Sequence, residues 1–367
     1  MTRLLTLRQA SVRGLAIVMM LTACQPSAGT SPDISPSTAA ESASAEPSVG
    51  DPVRPPVLPG EAWIAYQWST GAKDTTFLAR PDGTDSHVLV DDIPGLNQWH
   101  PDWSPDGERI AFVAEDFGRK DIWIVDATGE DAGIAYESPA DVPYSDFPAW
   151  SPDGSQIVVA AYALEPTVEV NTRSSLVLID VETGEAEEIA ALEGVHQVLA
   201  YPRWSPDGEA LVVSIGLFNE DDSAWLGEAI AVLRRMDAGW TEPEVITEFS
   251  AFGSYPDWHP TDDLIVLATY DGGWFINLVD NSGIDLAEWA DVANLYTVRP
   301  DGAELTAITE EPIGNWTGQP TWTPEGRVIF THNVGSGLPS VAFVGSDGAT
   351  LADIDLNGTH ARLRPVP

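Results

Sequence analysis

Short apolar runs return along the chain at intervals of about fifty residues, at positions 110–113, 157–161, 211–213, 264–267 and 328–330. Each holds three to five residues rich in valine and isoleucine, too few for a helix, and the pattern predicts buried β-strands. A further apolar segment follows in each unit, as in Ile122-Trp123-Ile124-Val125, Leu176-Val177-Leu178-Ile179 and Ala229-Ile230-Ala231-Val232-Leu233. Turn signals come next: Asp126-Ala127-Thr128-Gly129, Glu182-Thr183-Gly184, Pro300-Asp301-Gly302 and Ser346-Asp347-Gly348. A last short strand then closes each unit, for instance 245–247 and 305–308.

Just ahead of each first run stands one motif. Pro101-Asp102-Trp103-Ser104-Pro105-Asp106-Gly107 returns as Pro148-Ala149-Trp150-Ser151-Pro152-Asp153-Gly154 and as Pro202-Arg203-Trp204-Ser205-Pro206-Asp207-Gly208. Two looser copies follow, around Trp258 and Trp322, and successive tryptophans are separated by 47, 54, 54 and 64 residues. That period fits four-stranded propeller blades with loop insertions. Ser-Pro-Asp-Gly supplies the preset φ of proline and the positive φ open to glycine, so it closes a tight hairpin. A first unit, with strands near 63–66, 76–79 and 87–90, has no such motif before it and lacks an innermost strand. Ala361-Arg362-Leu363-Arg364 lies where that strand is needed. The expected fold is therefore all-β, a six-bladed β-propeller closed by its own C-terminal strand, which leaves no free sheet edge.

Tandem Pro-x-Trp-Ser-Pro-Asp-Gly copies followed by an apolar strand resemble the WD40-like repeat of TolB-type propellers, over residues 60–367. The resemblance implies the fold; the same scaffold serves binding proteins, assembly factors, peptidase gating domains and polysaccharide lyases. TolB itself has an α/β domain before its propeller, where this chain has only a polar stretch. Peptidases of this type carry an α/β-hydrolase domain behind the propeller, and nothing after the sixth blade is long enough for one.

The N-terminal segment 1–23 has Arg3, Arg8 and Arg13, no acid, and an apolar stretch over 14–21, the pattern of a signal peptide. It ends in Leu21-Thr22-Ala23-Cys24, which resembles the lipobox of bacterial lipoproteins and implies diacylglyceryl transfer to Cys24. Of the 35 residues from Gln25 to Pro59, 24 are Ser, Pro, Ala, Thr or Gly and none is aromatic, so this stretch reads as a disordered tether with a reach of about 30 Å. The expected organisation is leader 1–23, lipidated Cys24 and tether 24–59, propeller 60–367. The expected location is extracytoplasmic, with the membrane as a partner through the lipid on Cys24.

With 17 Lys and Arg against 57 Asp and Glu, the net charge is -40, which repels nucleic acid. A single cysteine excludes an internal disulfide, a cysteine zinc site and an iron–sulfur cluster. No Gly-x-Ser-x-Gly elbow, His-Glu-x-x-His or glycine-rich phosphate loop is present. Asp353-x-Asp355-x-Asn357-Gly358 opens like a calcium loop, but Arg364 stands where the bidentate Glu is required; alternation with Ile354 and Leu356 favours a strand ending in an Asn-Gly turn. The acidic run Glu220-Asp221-Asp222 reads as a solvated loop.

Residues flanking the repeated proline should ring one mouth of the central channel: His100 and Asp102, Phe147 and Ala149, Tyr201 and Arg203, Tyr255 and Asp257, Gln319 and Thr321. His100, Asp102, Tyr201, Arg203, Tyr255 and Asp257 are the candidate ligand-binding set, against the alternative that they only pack the strand entry. A divalent cation held by His100 with Asp102 or Asp257 is a further alternative; no other cofactor is expected. The repeated tryptophans read as blade-to-blade packing. The expected function is a monomeric, non-catalytic propeller that binds a protein, peptide or glycan on the face away from the tether. The competing expectation is a polysaccharide lyase or hydrolase at the channel mouth, and a third is an envelope scaffold.

Overall fold

A computed structural model of the chain describes residues 54–69, 73–90, 93, 97–116, 118–165, 170–193, 197–218, 225–249, 253–270, 293–312, 314–335, 337–349 and 351–366. The leader, Cys24, nearly all of the tether, Glu220-Asp221-Asp222 and His196 lie outside the described residues. Residues 56–367 form one unit.

Its strands fall into six groups of four. The first blade holds β1 (Ile64–Ser69), β2 (Asp74–Ala79) and β3 (His87–Val88), and the second β4 (Asn97–Trp103), β5 (Arg109–Asp116), β6 (Arg119–Asp126) and β7 (Gly133–Tyr136). The third comprises β8 (Tyr144–Trp150), β9 (Gln156–Glu165), β10 (Val170–Asp180) and β11 (Ala186–Glu193), and the fourth β12 (Gln197–Trp204), β13 (Ala210–Phe218), β14 (Trp225–Arg234) and β15 (Glu244–Val245). The fifth has β16 (Gly253–Trp258), β17 (Ile265–Tyr270), β18 (Ala293–Val298) and β19 (Thr306–Ala307), and the sixth β20 (Asn315–Trp322), β21 (Arg327–Val334), β22 (Ser340–Gly345) and β23 (Ala352–Asn357). The last strand, β24 (Thr359–Leu363), pairs antiparallel with β1, so the first blade reads β24-β1-β2-β3 and the chain end closes the ring as expected.

The Ser-Pro-Asp-Gly turns hold by side-chain bonds that repeat from copy to copy. Ser104 donates its hydroxyl to Asp106 (2.6 Å) and accepts the Arg109 amide (2.9 Å), while Asp106 accepts the Glu108 amide (3.0 Å). Ser151 with Asp153, and Ser205 with Asp207, do the same. In the fifth blade His259 stands in for the serine, and its Nδ1 accepts the amides of Thr261 (3.2 Å) and Asp262 (2.9 Å). These bonds satisfy donors that a tight turn otherwise leaves orphaned.

The apolar runs pack between blades, and six buried clusters each join two neighbours. Trp103, Trp150, Trp204, Trp258 and Trp322 each sit in one of the first five seams, the blade-to-blade role expected of them. The segment from Asp353 to Asn357 is strand β23, not a calcium loop, and its turn into β24 needs Gly358: a Cβ there would stand 2.4 Å from the Tyr66 ring.

Candidate functional site

Every innermost strand carries the same irregularity. In β4, Trp99 pairs with Val113 and Asp102 with Ala111, so His100 and Pro101 together face the single residue Phe112. This is a β-bulge, and it recurs at Phe147, Tyr201, Tyr255, Gln319 and, in β24, at His360. Those six residues have φ between 52° and 55°, the left-handed region that side chains rarely adopt. The extra residue turns one side chain per blade to the axis, and the following proline, present in all but β24, has no amide to leave unpaired.

The six side chains meet across the channel. Ring centroids lie 4.4 Å apart for His100 and Phe147, 4.2 Å for Phe147 and Tyr201, 4.1 Å for Tyr201 and Tyr255, and 4.5 Å for His100 and His360. Gln319 completes the circle, accepting from Thr331 Oγ1 (2.6 Å) and from the His360 amide (3.2 Å). Burial holds the His360 pKa well below the usual imidazole range, with His100 beside it adding to the effect, so His360 is neutral at pH 7. The circle is therefore a largely aromatic floor, with polar atoms at His100, Tyr201, Tyr255, Gln319 and His360.

Two residues further along each inner strand lies a second, charged belt: Asp102, Ala149, Arg203, Asp257, Thr321 and Arg362. Asp102 accepts the Trp150 amide (2.9 Å) and Arg203 Nη1 (3.1 Å), and Arg362 Nε lies 3.5 Å away. Asp257 accepts the Trp322 amide (2.7 Å). Both aspartates thus tie one blade to the tryptophan strand of the next. Arg203 Nη1 also donates to the Pro148 carbonyl (3.3 Å), whereas Nε and Nη1 of Arg362 are buried without a hydrogen-bond partner. Burial pushes Asp257 up to about 7 against the pull of Arg203, and raises Asp102 as well. Two guanidiniums therefore face Asp102 and a second carboxyl, Asp257, that is half protonated near neutrality. The space between belt and floor has a volume of about 20 Å³, room for one water.

On the other side of the floor, Asp146 takes Nδ1 of His100 on one oxygen and Nζ of Lys120 on the other, both at 2.5 Å. Burial acts to raise the Asp146 pKa, but Lys120 and His100 outweigh it and hold the carboxylate well below its ordinary range. Lys120 also lies 4.4 Å over the Trp99 ring. Glu228 occupies in the fourth blade the strand row that Lys120 occupies in the second, with Ser254 Oγ donating to it (3.0 Å) and Ser214 beside it. Burial pushes Glu228 up to about 8.

The six sequence candidates do converge on the axis, but in mid-strand rather than at strand entries: His100, Tyr201 and Tyr255 form the floor, and Asp102, Arg203 and Asp257 form the belt. His100 is not brought onto Asp102 or Asp257; its carboxylate is Asp146, on the opposite side of the floor. Among the described residues no three His, Cys, Asp or Glu side chains converge as a metal site, and His259 spends its Nδ1 on a turn. Sequence reading missed His360 and Arg362, which the match of His-Ala-Arg-Leu in β24 to His-Pro-Asp-Trp in β4 would have given. It also missed Asp146, Lys120 and Glu228, for which the sequence carries no signal.

No protein-family profile matches the chain. Over 156 aligned residues it is 31% identical to an uncharacterised peptidase, YuxL, of Bacillus subtilis, covering 34% of this chain and 22% of that one. It is 36% identical over 87 residues to the Tol-Pal system protein TolB of Albidiferax ferrireducens, covering 23% of this chain and 18% of that one. Among solved structures, TolB from Acinetobacter baumannii superposes with a TM-score of 0.58 at 15% identity, covering 83% of this chain and 66% of that one. The chain is a TolB-like β-propeller. The expectation that it is no enzyme is corrected by these comparisons, because a peptidase stands among the sequence relatives; the lack of motifs excluded particular catalytic machineries and not hydrolysis as a class.

Proposed function

We propose that this propeller works outside the cytoplasm, anchored through a lipid on Cys24, and recognises a polypeptide at the belt side of its channel. The supporting observation is the unbalanced belt: Arg203 and Arg362 share Asp102, Asp257 is half neutral near pH 7, and two nitrogens of Arg362, Nε and Nη1, lack hydrogen-bond acceptors. A cationic spot on the axis of a chain with net charge -40 suits a carboxylate. The partner is then a peptide presenting a free C-terminal or side-chain carboxylate.

Titrating the full chain with a peptide set in free-acid and amide forms tests this. Free-acid peptides bind more tightly, and Arg203→Ala with Arg362→Ala removes the difference; equal binding of both forms, or binding untouched by the double variant, overturns it. Lipidation is tested separately by palmitate labelling of cells carrying the chain or Cys24→Ala, with label expected only in the former.

A second reading, in which the same recognition serves peptide hydrolysis, is favoured by the match to a peptidase. Asp257, near neutral pKa at the channel, is the group of the belt suited to proton transfer. Release of arylamine from aminoacyl and peptidyl arylamides, lost in Asp257→Asn, would support it, and no turnover across the set would dismiss it.

A further inference from the structure

Five of the six seams between blades are filled by the motif tryptophan, and the sixth is not. Trp103 pairs with Ile110, and in the same register Leu363 of β24 pairs with Ile64, so Leu363 holds the place of the tryptophan at the seam between the sixth and first blades. A leucine is much smaller than an indole, and a cleft of about 300 Å³ opens there, lined among others by Pro81, Arg327, Phe343, Ala352, Ile354 and Leu363. Nothing comparable is needed elsewhere, because the tryptophans occupy their seams while remaining buried.

The seam between the second and third blades shows what fills such a space. Arg109, first residue of β5, lies 4.6 Å over the Trp150 ring. Arg327 is first in β21 and stands in the same register, one residue before the partner of the motif tryptophan. With no indole to cover, its guanidinium rests on Phe343 at 4.8 Å. Arg327 is exposed, so besides covering Phe343 its guanidinium offers a cation to the negative face of an incoming ring in the cleft.

We propose that this cleft is a second binding site, separate from the channel, which takes the tryptophan side chain of a partner polypeptide as a substitute for the missing motif tryptophan. The volume lies at the lower end of small-ligand pockets, which matches one side chain rather than a whole ligand. Leu363, Ile354 and Phe343 supply the apolar walls and Arg327 the cation.

The test follows methyl signals of Leu363 and Ile354 by NMR in the full chain titrated with N-acetyl-tryptophanamide and, as control, N-acetyl-alaninamide. One buried side chain predicts a dissociation constant of about 1–10 mM. Expected are saturable shifts with the tryptophan probe alone, lost by tenfold or more in Leu363→Trp, which fills the cleft from inside and melts at higher temperature. Ala352→Phe, altered at an exposed strand position, is the second filling variant should Leu363→Trp fail to fold. Unmoved methyl signals, equal shifts with the alanine probe, or full binding in a folded filling variant would overturn the proposal.

Discussion

Asp146 and His100 meet at 2.5 Å beneath the floor of the channel, both nearly excluded from solvent, and Lys120, from the same blade as His100, completes the group. Two donors surround one carboxylate, so the cluster is balanced only while that carboxylate is charged. Asp146→Asn leaves Lys120 buried with no anion, and the expected loss is about 3–5 kcal/mol of stability in urea unfolding. Adding Lys120→Met to it should restore a large part of that loss; no recovery would mean that the carboxylate matters for another reason.

Stability should fall as pH rises from 6.5 to 8.5. Glu228, facing Ser254, Ser214 and the phenols of Tyr201, Tyr255 and Tyr162, is raised to about 8, and Asp257, facing Arg203 and Asp102, to about 7. In that range the folded protein holds protons that the unfolded chain has lost, so unfolding is favoured by higher pH. His360 opposes this weakly at the lower end of the range, because the unfolded imidazole still holds part of its proton near pH 6.5 and the buried folded one does not. The combined effect is about 2–3 kcal/mol, read as a drop in melting temperature. Glu228→Gln should flatten most of the slope, and an unchanged slope would remove Glu228 from the account.

Closure by β24 hangs on a turn with no room for a side chain. Gly358→Ala would press a methyl group onto the Tyr66 ring and push β24 off β1. Faster amide hydrogen exchange should then appear first in β1 and β24, with the other blades slower to follow. Uniform acceleration across all blades would show that closure and blade stability are one cooperative event.

The repeated turn gives a graded prediction. Ser205→Ala removes the acceptor of the Ala210 amide and the donor to Asp207, both buried or half-buried, at an expected cost of about 1–2 kcal/mol. Asp207→Asn keeps the shape and the amide acceptor and should cost less. Equal costs in denaturant titrations would mean that the serine acts through packing.

The amino-acid sequence by itself determined the blades, because strand, turn and tryptophan are set by local chemistry: apolar runs of β length, proline and glycine at fixed offsets, and a large ring where two sheets must meet. It also determined closure, since the first unit lacks a strand and the last residues supply one. Tertiary structure alone decided what the channel holds. Bulge geometry placed His100 and its five counterparts on the axis in mid-strand, and only ring closure brought His360 and Arg362, more than 250 positions away, into the same circle. Charges such as Asp146, Lys120 and Glu228 took their meaning from burial and from neighbours on other blades. A sequence lists those residues, but solvent exclusion and distance exist only once the ring is shut.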